Sequence, residues 1–187
     1  MISTADFRNG MTILLDSQLM EIVEFQHVKP GKGGAFVRTK LKNVLTGRVL
    51  EKTFRAGERM EEARVEDQTW QYLYDDGDLF CFMHNDTYEQ MEVGKDIIGE
   101  HAKWLKENTD VTLVVYDGKV ISFKPPLFME LKIAQSDPGV QGDRASGATK
   151  PATLESGATI QVPLFMNEGD VVKVDTRTGE YIERVNK

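Results

Sequence analysis

Residues 19–54 read LMEIVEFQHVKPGKGGAFVRTKLKNVLTGRVLEKTF, and this stretch decides the fold. Leu19 to Val28 is a run of mostly apolar and β-branched residues, as a strand requires. Ala35 to Val44 alternates small or apolar residues with basic ones through Phe36, Val37, Arg38, Thr39, Lys40, Leu41 and Lys42. A period of two predicts a strand with one face in a core and the other in solvent. Leu45-Thr46-Gly47 turns the chain into a further strand, Arg48 to Phe54. Between the first two strands lies Lys29-Pro30-Gly31-Lys32-Gly33-Gly34. Pro30 restricts the backbone, and Gly31, Gly33 and Gly34 leave Lys32 as the feature at the tip of a hairpin.

Outward from this stretch, short strands continue in both directions. Thr12 to Leu15 ends at the turn Asp16-Ser17. Five short strands within residues 1–64 predict a small SH3-like barrel. Beyond Arg64 the composition turns acidic. Trp70–Tyr74 and Leu79–Met83 flank Asp75-Asp76-Gly77-Asp78, a hairpin signal, and Thr87 to Val93 reads as a third strand. Residues 94–108 carry Ile97, Ile98, Ala102, Trp104 and Leu105 at roughly helical spacing, with Asn108 as the stop. Val111–Tyr116 and Lys119–Phe123 flank Asp117-Gly118. Five strands with a helix between the third and fourth is the order of an OB-fold barrel. Pro125-Pro126 marks a boundary, since proline cannot donate to a strand ladder. Phe128–Ala134, Thr159–Pro163, Val171–Asp175 and Tyr181–Val185 then predict a third all-β unit, with residues 138–149 as loop.

The net charge of −7 argues superficially against a nucleic-acid partner, but the charge is unevenly spread. Residues 1–64 hold 11 Lys and Arg against 8 Asp and Glu, whereas residues 65–128 hold 5 against 13. No acidic residue occurs between Glu24 and Glu51, where Lys29, Lys32, Arg38, Lys40, Lys42 and Arg48 lie. A one-sign field on an acidic chain fits a phosphate-facing surface. A solvated strand face that happens to be basic fits it too. The acidic middle segment is expected to face protein or solvent instead of RNA.

Other chemistry finds little support. Cys81 is the only cysteine, so no intrachain disulfide forms and a reducing cytoplasm is expected. No apolar run has the length of a membrane span, and Met1 to Gly10 has no apolar signal core. His27, His84 and His101 show no paired spacing and, with one cysteine, make no zinc site. Asp75-Asp76-Gly77-Asp78 lacks the downstream Glu of a calcium loop. The tip loop is not a nucleotide-binding loop either. Gln26 stands where that motif needs its first glycine, and Gly33 stands where it needs a hydroxyl for magnesium. No pattern calls for a cofactor or a catalytic centre. An enzyme using Lys32 as a Schiff-base nucleophile would need a desolvated pocket, which an exposed tip does not supply.

Pro30-Gly31-Lys32-Gly33-Gly34-Ala35 resembles the tip loop of the bacterial elongation factor P family. Lys150-Pro151-Ala152, Gly157, Ile160 to Phe165 and Gly169 look like that family's signature in its last domain. Asp175 to Tyr181 is similar to the family's terminus, so the resemblance runs through the whole chain. It implies an all-β fold of three small barrels in an L shape. These are an SH3-like (KOW-like) domain at 1–64, an acidic OB-fold domain with one short helix at 65–126 and a second OB-fold domain at 127–187.

The resemblance also implies a task. The family consists of non-enzymatic, cytoplasmic, monomeric elongation factors that bind the 70S ribosome between the P and E sites. They relieve stalling at consecutive prolines by positioning the P-site peptidyl-prolyl-tRNA. Lys32 would reach the CCA end of that tRNA, and in many members the tip residue is altered by a modifying enzyme. Tyr181 and Arg184 match residues placed near the anticodon stem. Gly142-Asp143-Arg144 matches a loop on the E-site mRNA side, where the family usually has Thr in place of Arg144. A paralogue of this family with another ribosomal task is the nearest alternative. The intact Lys32 loop and the signature from Lys150 to Gly169 count against it.

Overall fold

The computed structural model describes residues 1–138 and 147–185. These residues form three antiparallel sheets, and the chain divides into two compact units, Met1–Glu66 with Val115–Ile121 and Asp67–Val114 with Ser122–Lys187. No helix among the described residues is long and apolar enough to cross a membrane.

The first sheet starts with β1 (Ile2–Ser3), followed by a single 3-10 turn capped by Ser3 and Asp6. Asp16 and Ser17 then take φ of 49° and 62°. Two left-handed residues give a turn whose twist matches a two-stranded ribbon. So β2 (Thr12–Leu15) folds directly back as β3 (Gln18–Val28). β3 continues through a bulge between Ile22 and Glu24 and pairs with β4 (Phe36–Asn43). β5 (Val49–Arg55) and β6 (Arg59–Glu62) complete the order β1-β6-β2-β3-β4-β5. The core is Phe7, Ile13, Met20, Ile22, Val37, Leu41 and Phe54. Phe7 meets Phe54 edge-on, with ring centroids 5.8 Å apart.

Six strands stand where five were expected. β6 carries Arg59, Glu61 and Glu62 and shows no apolar alternation, so nothing local marks it. It is held by main-chain pairing to β1 and β2, with Ile13 opposite Glu62.

The predicted alternation in β4 is present: Val37, Thr39 and Leu41 are buried, while Arg38, Lys40 and Lys42 are exposed. Thr39 is 2% exposed, and its hydroxyl has no hydrogen-bond partner among the described residues. Thr39→Val is therefore expected to raise stability by about 1 kcal/mol, since an unpaired buried hydroxyl carries a desolvation cost. Denaturant unfolding measures this, and a lowered midpoint would contradict it.

The second sheet runs β7 (Val65–Asp75), β8 (Leu79–His84), β9 (Gln90–Gly94), β10 (Asp110–Tyr116) and β11 (Lys119–Lys124), in the order β11-β10-β7-β8-β9. The acidic turn uses its own carboxylates. Asp76 accepts hydrogen bonds from the N–H groups of Asp78 and Leu79 at 3.0 and 2.8 Å, and the bonds hold its pKa below the usual range. The third strand starts at Gln90, three residues late, because Tyr88 takes a φ of 58° and lies in the turn.

The helix expected over 94–108 is shorter. It is one turn of α1 (Lys95–Ile98) followed by a 3-10 segment, Gly99–Trp104. Gly99, at φ 59°, ends α1. Asn108 lies beyond the helical segment and donates its N–H to the Tyr72 carbonyl at 2.8 Å, in place of ending a helix.

The third sheet consists of β12 (Phe128–Ser136), β13 (Thr149–Leu154), β14 (Thr159–Pro163), β15 (Val171–Asp175) and β16 (Glu180–Arg184), in the order β14-β13-β12-β15-β16. β13 goes unseen in the sequence because Pro151 interrupts it. The proline is tolerated because pairing of β13 with β12 covers only Ala152 to Leu154, which leaves Pro151 past its end. The core gathers Leu131, Ile133, Leu154, Val162, Val172 and Val174. Trp104, from the helical segment after β9, is buried in the same core.

Candidate nucleic-acid interface

The β3–β4 hairpin builds the tip. Its last pair is Val28 with Phe36, and residues 29–35 extend beyond it. At the base, the Ala35 carbonyl accepts the Ala56 N–H at 3.0 Å. Lys29, Pro30, Gly31, Lys32, Gly33 and Gly34 are all exposed. The glycines are not equivalent. Gly33 has a φ of 108°, a conformation that side chains rarely adopt, whereas a Cβ at Gly31 or Gly34 would meet nothing within 4 Å. So backbone conformation demands glycine at Gly33 alone. At Gly31 and Gly34 the missing side chain leaves room for a partner beside Lys32. The Lys32 ammonium takes no part in the ion pairs among the described residues.

Below the tip, β4 presents Arg38, Lys40 and Lys42 in a row on its exposed face. The register adds what the linear charge map lacked. Arg38 lies between Gln26 on β3 and Thr53 on β5. Lys40 lies between Glu24 and Glu51, and Lys42 between Glu21 and Val49. The acid-free stretch therefore becomes a mixed-charge face once neighbouring strands are paired. The Arg38 guanidinium sits 5.7 Å from the centre of the Phe36 ring. A cavity of about 310 Å³ opens here, lined by Glu24, Gln26, Arg38, Lys40, Glu51 and Thr53 among others.

The remaining expected contacts sit on the third sheet. Tyr181 is half-buried and packs against its core. Arg184 is exposed, and its Nη2 donates to Asp170 Oδ1 at 2.7 Å. Gly142, Asp143 and Arg144 lie outside the described residues. Among the described residues no group of His, Cys, Asp and Glu is arranged to hold a metal ion.

Two features escaped the sequence reading. Lys150 is 6% exposed, and its Nζ donates to the Asp137 carbonyl at 2.6 Å. A buried lysine has no local signature beyond its place in a strand. Asp175 grips Arg177 through both carboxylate oxygens, at 3.0 and 2.6 Å. The side-chain bonds from Arg177 pull the Asp175 pKa down to about 2. Its sequence signal is only the two-residue spacing of an acid and an arginine in a turn.

Comparison with known proteins covers almost all of the chain. Residues 3–60 match the elongation factor P (EF-P) KOW-like domain, 65–123 the elongation factor P (EF-P) OB domain and 129–184 the elongation factor P C-terminal domain. An elongation factor P from Acetivibrio thermocellus is 55% identical over 185 residues, covering 99% of this chain and 100% of that protein. One from Corynebacterium urealyticum is 53% identical over 187 residues and covers 100% of both. Among solved structures, a translation initiation factor eIF-5A family protein from Naegleria fowleri superposes with a TM-score of 0.52 at 15% identity, covering 66% of this chain and 96% of that one. At that identity the likeness speaks for the fold alone.

Proposed function

This chain belongs to the elongation factor P family of translation elongation factors, and we propose that it binds the ribosome between the P and E sites and relieves stalling at consecutive prolines. The single observation that carries the reading is Lys32, an exposed ammonium on a glycine-flanked tip. Proline is a secondary amine locked in a ring, so it reacts poorly in peptide transfer. A factor that holds P-site tRNA in a productive geometry lowers the entropic barrier without doing chemistry. Positioning is worth up to about 7–11 kcal/mol in favourable cases, so a small part of it relieves a stall.

In this reading Lys32 meets the CCA end, and Lys29, Arg38, Lys40 and Lys42 hold phosphates of the acceptor arm. Tyr181 and Arg184 lie by the anticodon stem, and Gly142 to Arg144 face the E-site side. A lysine-modifying enzyme is a partner if Lys32 is extended. The domains divide at 1–64, 65–126 and 127–187, and the protein works in the cytoplasm as a monomer.

Translation of a triple-proline template with and without the protein tests the proposal, and no gain in full-length product would overturn it. The phosphate grip has its own test. If about four phosphates are neutralised, the tRNA-dependent part of binding should fall with salt at a log–log slope of roughly −3. A slope near zero would remove the basic row from the account.

A further inference from the structure

The groove across β3, β4 and β5 has a composition that a simple phosphate clamp does not need. Its centre line carries Arg38 and Lys40, and both flanks of Lys40 carry a carboxylate, Glu24 on one side and Glu51 on the other. Carboxylates this close would weaken a site built only for anions. Cross-strand neighbours of opposite charge are also well placed to pair with each other. Yet among the described residues none of these four groups enters an ion pair or a side-chain hydrogen bond. Arg38, Lys40, Glu24 and Glu51 thus line one cavity of about 310 Å³ with their hydrogen-bonding capacity unspent, beside Lys52, which pairs with Asp16.

We propose that this groove binds one ribose–phosphate unit of an RNA strand. Arg38 and Lys40 hold phosphate oxygens, and Glu24 and Glu51 accept hydrogen bonds from ribose hydroxyls. The inference rests on the ribosomal reading above and adds to it a basis for choosing RNA. Arg38 suits the phosphate because its neighbours Gln26 and Thr53 are uncharged and the Phe36 ring braces its guanidinium. Arg38 and Lys40 point the same way two residues apart, about 7 Å along the strand. Phosphate and sugar can therefore be met side by side. A carboxylate accepts from a hydroxyl but repels phosphate, so Glu24 and Glu51 take the ribose hydroxyls while the Lys40 ammonium between them reaches the phosphate that Arg38 holds. DNA lacks the 2′-hydroxyl and leaves an acceptor unanswered, which is how a protein tells the two apart. The volume lies at the lower end of small-ligand pockets, suited to a sugar–phosphate and not to a helix.

Amide NMR spectra of the full chain test this, with a short single-stranded oligoribonucleotide and the same sequence as DNA at one salt concentration. The amides of Gln26, Arg38, Lys40 and Thr53 are expected to shift with RNA, and RNA should bind at least threefold tighter than DNA. Arg38→Ala should weaken both about tenfold. The double change Glu24→Ala with Glu51→Ala, which removes both acceptors, should bring the RNA-to-DNA ratio near one, with DNA binding no weaker than before. A ratio left unchanged by that double variant overturns the proposal, as do shifts confined to residues 29–35. The same protein is run on the triple-proline template. Rescue without groove shifts sinks the groove alone, whereas failure to rescue sinks the ribosomal reading itself. These side chains are exposed, and each variant's own spectrum shows that it is folded.

Discussion

Lys32→Ala is expected to remove most of the rescue at a triple-proline template, lowering the rate of full-length synthesis by about ten- to a hundredfold. That corresponds to about 1.4–2.7 kcal/mol of barrier. The expectation follows from isolation. Residues 31, 33 and 34 have no side chain, so no adjacent side chain can take over when the ammonium is lost, and Lys29 stands at the start of the loop, next to the last strand pair. A lysine in a crowded cationic patch would be partly redundant, but this one is not. The cost should fall on the rate and hardly on stability, because the exposed tip contributes nothing to the core of Phe7, Ile13, Ile22 and Phe54. Lys32→Arg separates charge from shape. It keeps the charge but replaces a compact ammonium with a planar fork, and should recover only part of the rescue. Gain of full-length product over time measures all three proteins. Equal rescue by Lys32→Ala and the parent would end the case for the tip.

The largest effect on stability is expected from Trp104→Ala, about 3–5 kcal/mol, the range for removing a large buried aromatic. Trp104 is 3% exposed and belongs to the core of the third sheet, although the chain reaches it from the segment after β9. Gly179, in the turn before β16, lies against its ring, with a would-be Cβ only 3.6 Å away. Nearby, Lys106 pairs with Glu155 at 2.9 Å, and Glu155 also accepts the Lys132 N–H at 2.9 Å. Those contacts are partly exposed, and a surface ion pair is worth at most about 1 kcal/mol. The tryptophan therefore dominates this junction, and Lys106→Ala should cost far less. Denaturant unfolding followed by circular dichroism gives both values. A loss below about 1 kcal/mol for Trp104→Ala would show that its burial does not hold this part of the chain together.

Much of the fold was legible because its signals are local. The alternation in β4, the turn at Asp16-Ser17 and the limits of β14 and β15 follow from side-chain period and turn chemistry over a few residues. β6 and β13 were not legible. One is charged and the other contains Pro151, and each is a strand because distant main chain pairs with it, β1 and β2 in the first case and β12 in the second. The helical segment was overestimated because the spacing of Ile97, Ile98, Ala102 and Trp104 reports burial. Gly99 decides where the α turn ends, and Trp104 is buried on account of the third core.

The site divides in the same way. By itself the sequence determined that Lys32 is presented alone, since proline and glycine act on their own backbone and need no partner. It also determined that Arg38, Lys40 and Lys42 share a face, since a strand alternates. Only the tertiary structure decided what stands beside them. Glu24 and Glu51 flank Lys40 through the register of β3 and β5, and a bulge after Ile22 helps to set that register. Charge neighbours across a sheet depend on the register between paired strands, which the linear order does not state. A linear charge map can therefore find the cations of this face and name Glu24 and Glu51 as the ends of the acid-free stretch, but cannot place those carboxylates on either side of Lys40.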